Sequence, residues 1–149
     1  MGYIIRNAVE SDYPAIIEMI KELAEFEHAL EKVVNTVELM KQEKKYFECL
    51  VAESSDGKVV GMALYFYAYF TWVGKSMYLD DVYVKPEYRN LGIGSDLINE
   101  VIKIGKAENC RRIRWQVLDW NVNAMRLYEK LGSKLDDDWV NCDIENYEY

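Results

Sequence analysis

The stretch from Tyr78 to Asn109 constrains the fold most, because it joins a strand, a glycine-containing loop and a helix. β-Branched and aromatic residues dominate its beginning, which predicts a strand that ends before Pro86. Apolar residues recur at helical spacing in its second half and predict an amphipathic helix; they are Leu97, Ile98, Val101, Ile102 and Ile104.

The connecting loop, Arg89 to Gly94, has the sequence RNLGIG. Its two glycines allow backbone N–H groups to approach a ligand closely. A helix that begins at the end of such a loop presents unpaired N–H donors and the positive end of its dipole. The loop is therefore predicted to bind an anion, and phosphate is the anion expected there.

The alternation of apolar residues in the strand slips at Asp80 and Asp81. Apolar side chains stand at odd positions before the slip and at even positions after it; they are Met77, Leu79, Val82 and Val84. A strand that keeps one face buried through such a slip needs an extra residue, so we predict a β-bulge at the two aspartates. A sheet buried on both faces would explain the same pattern without a bulge.

The length of 149 residues predicts a single domain, residues 1–149, that can bury a core of its own. No secretory segment and no apolar run long enough to cross a bilayer is recognised, so we expect a cytoplasmic protein without a membrane partner. Three widely separated cysteines, Cys49, Cys110 and Cys142, favour reduced core thiols over disulfides. With His28 as the single histidine, no metal site is expected.

The formal net charge of −8 argues against a nucleic-acid partner, because phosphate neutralisation needs clustered Lys and Arg. Arg111, Arg112 and Arg114 form the only basic cluster. An acidic protein attracts small polycations, but net acidity also favours solubility, and both interpretations stay open.

The remaining segments predict further strands and helices. Towards the N-terminus we expect a strand at Tyr3–Arg6, a helix after Ser11 and Asp12, a helix from Thr36 to about Lys44 with Leu39 and Met40 facing inward, and a hairpin of Tyr46–Glu53 and Lys58–Tyr69. Towards the C-terminus we expect a strand at Ile113–Leu118, a helix capped by Asn121 and ended by Gly132, and a final antiparallel pair of Lys134–Leu135 and Val140–Ile144. Most aromatic rings between Phe66 and Trp72 are expected in the core or a subunit interface, although Tyr69 and Trp72, beside the turn before Gly74, could line a pocket.

Several strings are similar to one enzyme family: IKELAEFE (Ile20–Glu27), YLDDVYV (Tyr78–Val84), YRNLGIGS (Tyr88–Ser95) and VLDWN (Val117–Asn121), followed by Tyr128. With them the chain resembles the GNAT family of acetyl-CoA-dependent N-acetyltransferases over nearly its whole length. Within that family it looks like the spermidine/spermine and thialysine acetyltransferases. The resemblance implies an α/β (α+β) domain of the GNAT fold, with a central mixed, mostly antiparallel twisted sheet flanked by helices.

The resemblance also implies roles for particular residues. Those implied to bind acetyl-CoA are Val82, Tyr83, Val84, Arg89, Asn90, Leu91, Gly92, Ile93, Gly94, Ser95, Asn121, Val122, Asn123, Ala124 and Tyr128. Tyr128 would be the general acid that protonates the departing coenzyme A sulfur. The acceptor amine, with a pKa near 10.4, must lose a proton before it attacks, and Asp80 or Asp81 is the expected base, acting through a water.

The substrate pocket implied by the resemblance contains Phe26, Glu27, Trp72, Asp80, Trp115 and Gln116. Glu27 and the two aspartates would hold remote ammonium groups of a polyamine, diamine or lysine-like amine. The sequence departs from the polyamine enzymes in having Asp80-Asp81 in place of Glu-Asp, and in lacking an acidic residue just before Trp72. These departures argue against spermine and leave a diamine or a short amino-acid-like substrate open.

Other interpretations also assume that the chain binds coenzyme A, but they assign a different acceptor or no catalysis. The acceptor could be a protein amine or an aminoglycoside, or the chain could be a coenzyme-A-binding regulatory module without turnover. The presence of both Asp81 and Tyr128 argues against a pure binding module, which needs neither a base nor an acid. A homodimer is expected because the relatives form one.

Overall fold

The computed structural model describes residues 2–145, and the chain divides into two compact units, Met1–Gln116 and Val117–Tyr149. The strands of the first unit are β1 (Tyr3–Asn7), β2 (Glu48–Ser54), β3 (Val59–Phe70), β4 (Gly74–Val84) and β5 (Ile113–Arg114). Its helices are α1 (Tyr13–Phe26), α2 (Val37–Gln42) and α3 (Ile93–Ala107), and α4 (Val122–Lys130) lies in the second unit. Among residues 2–145, no helix has the length and apolar character that a membrane span requires.

The five strands form one sheet in the order β1-β2-β3-β4-β5. Neighbouring strands from β1 to β4 are antiparallel, and β5 is parallel to β4. The turn at 54–57 joins β2 to β3, as its turn residues predicted. This arrangement confirms the mixed, mostly antiparallel sheet.

Helix α1 packs against one face of the sheet through its apolar side. Ile16 and Met19 are fully buried and belong to one core cluster with Val51 of β2 and Met62 of β3. The Asp12 side chain, which directly precedes the helix, does not bond an N–H of its first turn. Its carboxylate instead accepts the N–H of Val9, at 2.8 Å.

Helix α3 packs against the opposite face, with Leu97 and Val101 fully buried. Gly61 of β3 permits this close approach, since a Cβ there would lie 3.3 Å from Cγ2 of Ile93. Gly61 directly precedes Met62, and successive residues of a strand face opposite sides of the sheet. Together α1 and α3 therefore cover the two faces; we call these the α1 face and the α3 face.

The predicted β-bulge lies at Asp80. Leu64 pairs with Asp81, and the next residue, Tyr65, pairs with Leu79, so Asp80 is the extra residue of β4. The bulge keeps the apolar side chains of β4 on the α3 face across the slip in alternation; they are Met77, Leu79, Val82 and Val84. It also places Asp81 on the α1 face, opposite Leu64.

Two predictions about strands are wrong. Strand β5 contains only Ile113 and Arg114, shorter than the predicted Ile113–Leu118, and within residues 2–145 neither Lys134–Leu135 nor Val140–Ile144 forms a strand. Val140 and Ile144 are 86% and 83% exposed. Alternating apolar residues permit a strand, but a strand forms only where a neighbouring backbone supplies its hydrogen-bond partners.

Three predictions about burial also need correction. Leu39 does not face inward with Met40, since it is exposed whereas Met40 is buried. Tyr67, Tyr69 and Trp72 lie exposed in this chain, so the core position is wrong for these three rings, and the subunit interface stays a prediction for them. Of the three free cysteines, Cys49 is buried, Cys110 is half-buried and Cys142 is exposed, so the predicted core position holds only for the first.

The second unit contains α4, whose boundaries agree with the predicted signals. The Asn121 side chain accepts the N–H of Ala124 at 3.3 Å, which confirms the predicted N-cap. Gly132 has a φ of 91°, the left-handed conformation that commonly ends a helix. The residues of the predicted apolar side are half-buried; they are Ala124, Leu127, Tyr128 and Leu131.

Candidate active site

Three carboxylates from two elements come together at the bulge. Glu27 follows the last residue of α1, and Asp80 and Asp81 lie at the bulge of β4. Glu27 and Asp81 are half-buried, whereas Asp80 is exposed on one side. The ionisation of each of the three is affected by this shared position.

All three carboxyl groups have raised pKa values. Burial first, and then the charges of Asp80 and Glu27, raise the pKa of Asp81 to about 7. Burial also raises the pKa of Asp80, although part of its side chain meets solvent. For Glu27 the pKa is raised by burial first and by Asp80 second. A carboxylate with a pKa near 7 suits a general base at neutral pH.

Beyond Tyr78, β4 has an open edge on the side of β5. The parallel pairing with β5 covers only Met77 and Tyr78, while the pairing with β3 continues to Val84. Among residues 2–145 no strand pairs with the remainder of β4 on that side. An unpaired strand edge presents backbone N–H and C=O groups that a ligand can bind.

The ladder determines which residues present their backbone at this edge. The Lys85 N–H donates to the Val60 carbonyl at 2.9 Å, so this pair faces inward between β3 and β4. Since hydrogen-bonded pairs alternate along an antiparallel ladder, the backbone groups of Tyr83 also face β3. Those of Val82 and Val84 point away from β3, towards the open edge. A ligand bound along this edge would therefore contact the backbone of these two valines.

The predicted anion loop has the conformation that its glycines favour. Gly92 adopts a φ of 85° and is the N-cap of α3, and Asn90 adopts a φ of 63°. A Cβ at Gly92 would meet no atom within 4 Å, so its requirement for glycine comes from the backbone conformation. The first N–H groups of α3, a helix of fifteen residues, have no acceptor within the helix.

Arg89 connects this loop to the open strand edge. Its Nε donates to the Val84 carbonyl at 2.9 Å, and its guanidinium carbon lies 5.3 Å from the centre of the Tyr83 ring. Tyr83 itself is buried in the core on the α1 face. The ring of Tyr83 thus packs against the guanidinium of Arg89. The backbone of Tyr83 is paired with β3 and faces away from the open edge.

The other predicted pocket residues of the first unit lie at several places. Phe26, half exposed, ends α1 beside Glu27. Trp72, 82% exposed, lies in the turn between β3 and β4. The strand from Gly74 to Asp80 would separate it from the bulge by roughly 20 Å if fully extended. Trp115, half-buried, and Gln116, exposed, follow directly after β5.

The predicted residues of the second unit lie at the beginning and middle of α4. Asn121 is its N-cap, and Val122, Asn123 and Ala124 form its first turn. Tyr128 lies one turn further and is half-buried. Among residues 2–145 no group of His, Cys, Asp or Glu side chains has an arrangement suited to a metal ion.

Residues on the α1 face beside the carboxylates were not assigned a role from the sequence. Tyr78 stacks on Phe66 with ring centres 5.2 Å apart, and Arg114 is in register with Tyr78. Arg114 was visible in the sequence as part of a basic cluster, but its position on this face follows only from the pairing of β5 with β4. The sequence signal that could have placed Tyr78 on the same face as Asp81 was their spacing across the predicted bulge.

The fold is that of acetyltransferases. An acetyltransferase of Trypanosoma brucei has a solved structure that matches with a TM-score of 0.77 at 22% identity, covering 96% of this chain and 100% of that chain. This likeness establishes the class of fold: an open, mixed α/β sheet of the acetyltransferase type.

The sequence matches the acetyltransferase (GNAT) family over residues 6–133. Thialysine N-ε-acetyltransferase of Bos taurus is 42% identical over 142 residues, which cover 88% of this chain and 84% of that protein. The human spermidine/spermine N(1)-acetyltransferase-like protein 1 is 34% identical over 139 residues, covering 87% of this chain and 20% of that protein. The chain belongs to the acetyltransferase (GNAT) family and is an N-acetyltransferase. This confirms the resemblance drawn from the sequence strings.

Proposed function

We propose that this enzyme transfers the acetyl group of acetyl-CoA to a primary amine of a small cationic substrate. The candidate acceptors are polyamines, diamines and thialysine- or lysine-like amines. The amine attacks the acetyl group directly, within a complex that holds both substrates. The observation that carries this proposal is the group of three carboxylates at the bulge, beside an open strand edge and a glycine loop. Its relatives named for thialysine and for spermidine/spermine support the choice of an amine.

The residues present fit acetyl-CoA. Backbone groups of Val82 and Val84 at the open edge suit the amide groups of a pantetheine arm, and the loop from Arg89 to Ser95 presents N–H donors to a pyrophosphate. Asn121 to Ala124 are proposed to flank the cofactor arm. Acetyl-CoA supplies the acetyl group as a thioester.

The acceptor amine must arrive at the carbonyl without its proton. An alkyl amine has a pKa near 10.4, so nearly all of it is protonated at neutral pH. Asp81 is the favoured base, because its pKa of about 7 lets it exist as carboxylate and still hold a proton near neutrality. Asp80 and Glu27 attract the cation, and their charges contribute to the raised pKa of Asp81.

The ammonium group first gives one proton to Asp81 through a water. The amine nitrogen then attacks the thioester carbon, a C–N bond forms and the C–S bond breaks. The nitrogen loses its second proton to solvent, and Tyr128 gives its proton to the departing sulfur and is reprotonated from solvent. We propose that a backbone N–H exposed by the bulge stabilises the oxygen that gains negative charge; the register shift at Asp80 supports this.

We further propose that residues 1–149 act as a single catalytic domain in the cytoplasm and assemble as a homodimer. The family match from residue 6 to residue 133 extends over parts of both compact units, which supports one domain. The homodimer rests on the resemblance to relatives.

The test follows free thiol released from acetyl-CoA when the purified protein meets a panel of amines. The panel contains thialysine, lysine, putrescine, spermidine and an aminoglycoside. Turnover on the small cations with a loss of at least about tenfold in Asp81→Asn is expected. Glu27→Gln is expected to raise KM for a diamine more than for a monoamine. Acetylation of the aminoglycoside alone, or full activity of Asp81→Asn, would contradict the proposal.

A further inference from the structure

The side chain of Arg89 lies at the end of the open edge of β4. Its Nε donates to the Val84 carbonyl at 2.9 Å, which holds the guanidinium against the strand. Within the described part of the chain, residues 2–145, Arg89 forms no salt bridge, and its Nη groups make no hydrogen bond. The remaining N–H donors of the guanidinium are therefore not committed to an acceptor of that part.

A short turn returns Arg89 to the strand. After Val84 the chain makes one 3₁₀ turn, Pro86–Tyr88. The Arg89 N–H donates to the Pro86 carbonyl at 3.3 Å, which closes this turn. Asn90, the next residue, adopts a φ of 63° and begins the glycine loop. Arg89 is thus the residue that joins the turn to the loop.

The ring of Tyr83 supports this guanidinium. The guanidinium carbon of Arg89 lies 5.3 Å from the centre of the ring, a separation at which a cation is attracted to an aromatic face. Tyr83 is only 7% exposed and belongs to the core cluster of the α1 face, together with Ile16 and Met19. Because close packing fixes a buried ring, the cation that lies on it has a fixed partner.

The phenol of Tyr83 lies next to a charged group of α1. The pKa of this phenol is raised by burial first and then by Glu22, whereas the charge of Arg89 lowers it. Glu22 is itself tied to β4, because Nζ of Lys85 donates to its Oε1 at 3.2 Å. The same Nζ donates to Oε1 of Glu18 at 2.8 Å. A series of contacts therefore runs from α1 through Tyr83 to Arg89.

We propose that Tyr83 is a positioning residue for coenzyme A: its buried ring holds the Arg89 guanidinium at the open edge, where this guanidinium binds a phosphate group of the cofactor. The inference rests on the proposed function and adds a residue to its cofactor site. Tyr83 acts through Arg89, since its own backbone is paired with β3 and its ring is buried. Guanidinium groups recognise phosphate through a planar arrangement of donors, so their orientation matters.

The physical benefit of such a support is preorganisation. An arginine side chain has several rotatable bonds, and ordering it when a ligand binds costs conformational entropy. Arg89 is exposed, so without a support its side chain would sample many rotamers. The ring of Tyr83 and the Val84 carbonyl restrict it before the ligand arrives, and a group that is already ordered binds with higher affinity.

Calorimetry with coenzyme A tests the proposal without an acceptor amine. Tyr83→Leu removes the ring and is expected to raise the Kd for coenzyme A about five- to tenfold. Tyr83→Phe keeps the ring and should recover most of this loss. Tyr13→Leu is the matched control, because Tyr13 is 6% exposed, lies in the same core cluster and packs against Phe47. It should lose similar stability in urea unfolding and keep the wild-type Kd.

A double-mutant cycle measures whether Tyr83 acts through Arg89. Arg89→Gln is expected to raise the Kd about tenfold. Adding Tyr83→Leu to it should change the Kd by less than about twofold more, because the supported group is already absent. Arg89→Lys makes the same test at an exposed residue, where folding is not affected. Lysine keeps the charge but lacks the planar group, so the Kd should rise about fivefold.

The acetyl donor provides a second measurement. Acetyl-pantetheine has the same thioester as acetyl-CoA but carries no phosphate group. Tyr83→Leu is expected to lower kcat/KM for acetyl-CoA about five- to tenfold, mainly through KM, and for acetyl-pantetheine less than about twofold. The KM for the amine should equal that of the wild type, because the acceptor does not contact Arg89 in this proposal.

The outcomes separate the two proposals. An unchanged Kd in Tyr83→Leu or in Arg89→Lys, or full additivity of Tyr83→Leu with Arg89→Gln, would overturn the positioning role and leave the amine acetyltransferase standing. Equal losses of affinity in Tyr13→Leu and Tyr83→Leu would do the same. A wild-type protein that binds no coenzyme A would overturn both proposals. A protein that shows the expected Kd values but acetylates none of the amines would overturn only the proposed function.

Discussion

Asp81→Asn is expected to stabilise the folded protein at alkaline pH. Burial, Asp80 and Glu27 raise the pKa of Asp81 to about 7, against an ordinary value of 3.8. Between these pH values the folded chain keeps a proton that the unfolded chain has lost. Stability therefore falls as the pH rises through this window and stays low above it.

The magnitude follows from the size of the pKa change. A carboxyl whose pKa rises from 3.8 to about 7 costs the folded state about 4 kcal/mol once the pH is above both values. Water reaches part of this half-buried side chain, which reduces the cost. We therefore expect Asp81→Asn to raise the free energy of unfolding by about 1–3 kcal/mol near pH 8. Near pH 4 the folded carboxyl is already neutral, and the difference should approach zero.

Urea unfolding followed by tryptophan fluorescence at about pH 4 and about pH 8 measures this difference. Asp137→Asn serves as the control, because Asp137 is exposed and lies outside the carboxylate group. Comparing each variant with the wild type at the same pH cancels the titration of all other groups. A stabilisation by Asp81→Asn that is equal at both pH values, or a loss of stability near pH 8, would refute the electrostatic argument.

Four further outcomes are expected. Tyr128→Phe should lower kcat about tenfold or more while acetyl-CoA still binds in calorimetry, and unchanged turnover at saturating amine would remove Tyr128 from the mechanism. Gly92→Ala should cost about 1–2 kcal/mol through its positive φ and weaken acetyl-CoA binding; Gly57→Ala, which has a φ of 82° and also meets no atom within 4 Å, should cost the same stability but leave binding intact. Asp12→Asn should lower stability by about 1–3 kcal/mol at neutral pH, because the Arg6 guanidinium lowers the pKa of Asp12, and this stabilisation, fully present above the ordinary pKa, should be lost as the pH falls through the lowered value. Size-exclusion chromatography with light scattering should give the mass of a dimer, and a monomer at every concentration would contradict that proposal.

Short-range patterns in the sequence determined most of the elements that surround the site. The slip in alternation at Asp80 and Asp81 predicted the bulge, because a strand with a buried face tolerates a change of parity only with an extra residue. The glycine loop predicted the backbone conformation at Gly92, since its left-handed φ favours glycine. The caps at Thr36 and Asn121 were similarly local, because each side chain bonds an N–H three residues away.

Pairing between distant segments was not determined by these patterns. Residues 140–144 alternate like a strand, yet among the described residues no neighbouring backbone pairs with them. The same limitation applied to the end of β5, which stops at Arg114. Local periodicity states what a segment can form, whereas a ladder also requires a second segment in register.

Strands β1 to β4, the glycine loop, the bulge and the resemblance to an acetyltransferase family were already determined by the sequence, because each depends on residues close together in the chain. Only the tertiary structure decided that Glu27 lies close enough to Asp80 and Asp81 for their charges to interact, and that Arg114 stands beside Tyr78 on the α1 face. Glu27 is separated from Asp81 by two strands and a helix in sequence, and Arg114 from Tyr78 by α3. The folded sheet brings these distant segments together, so that the charges of the three carboxyl groups interact, and no local pattern encodes this proximity.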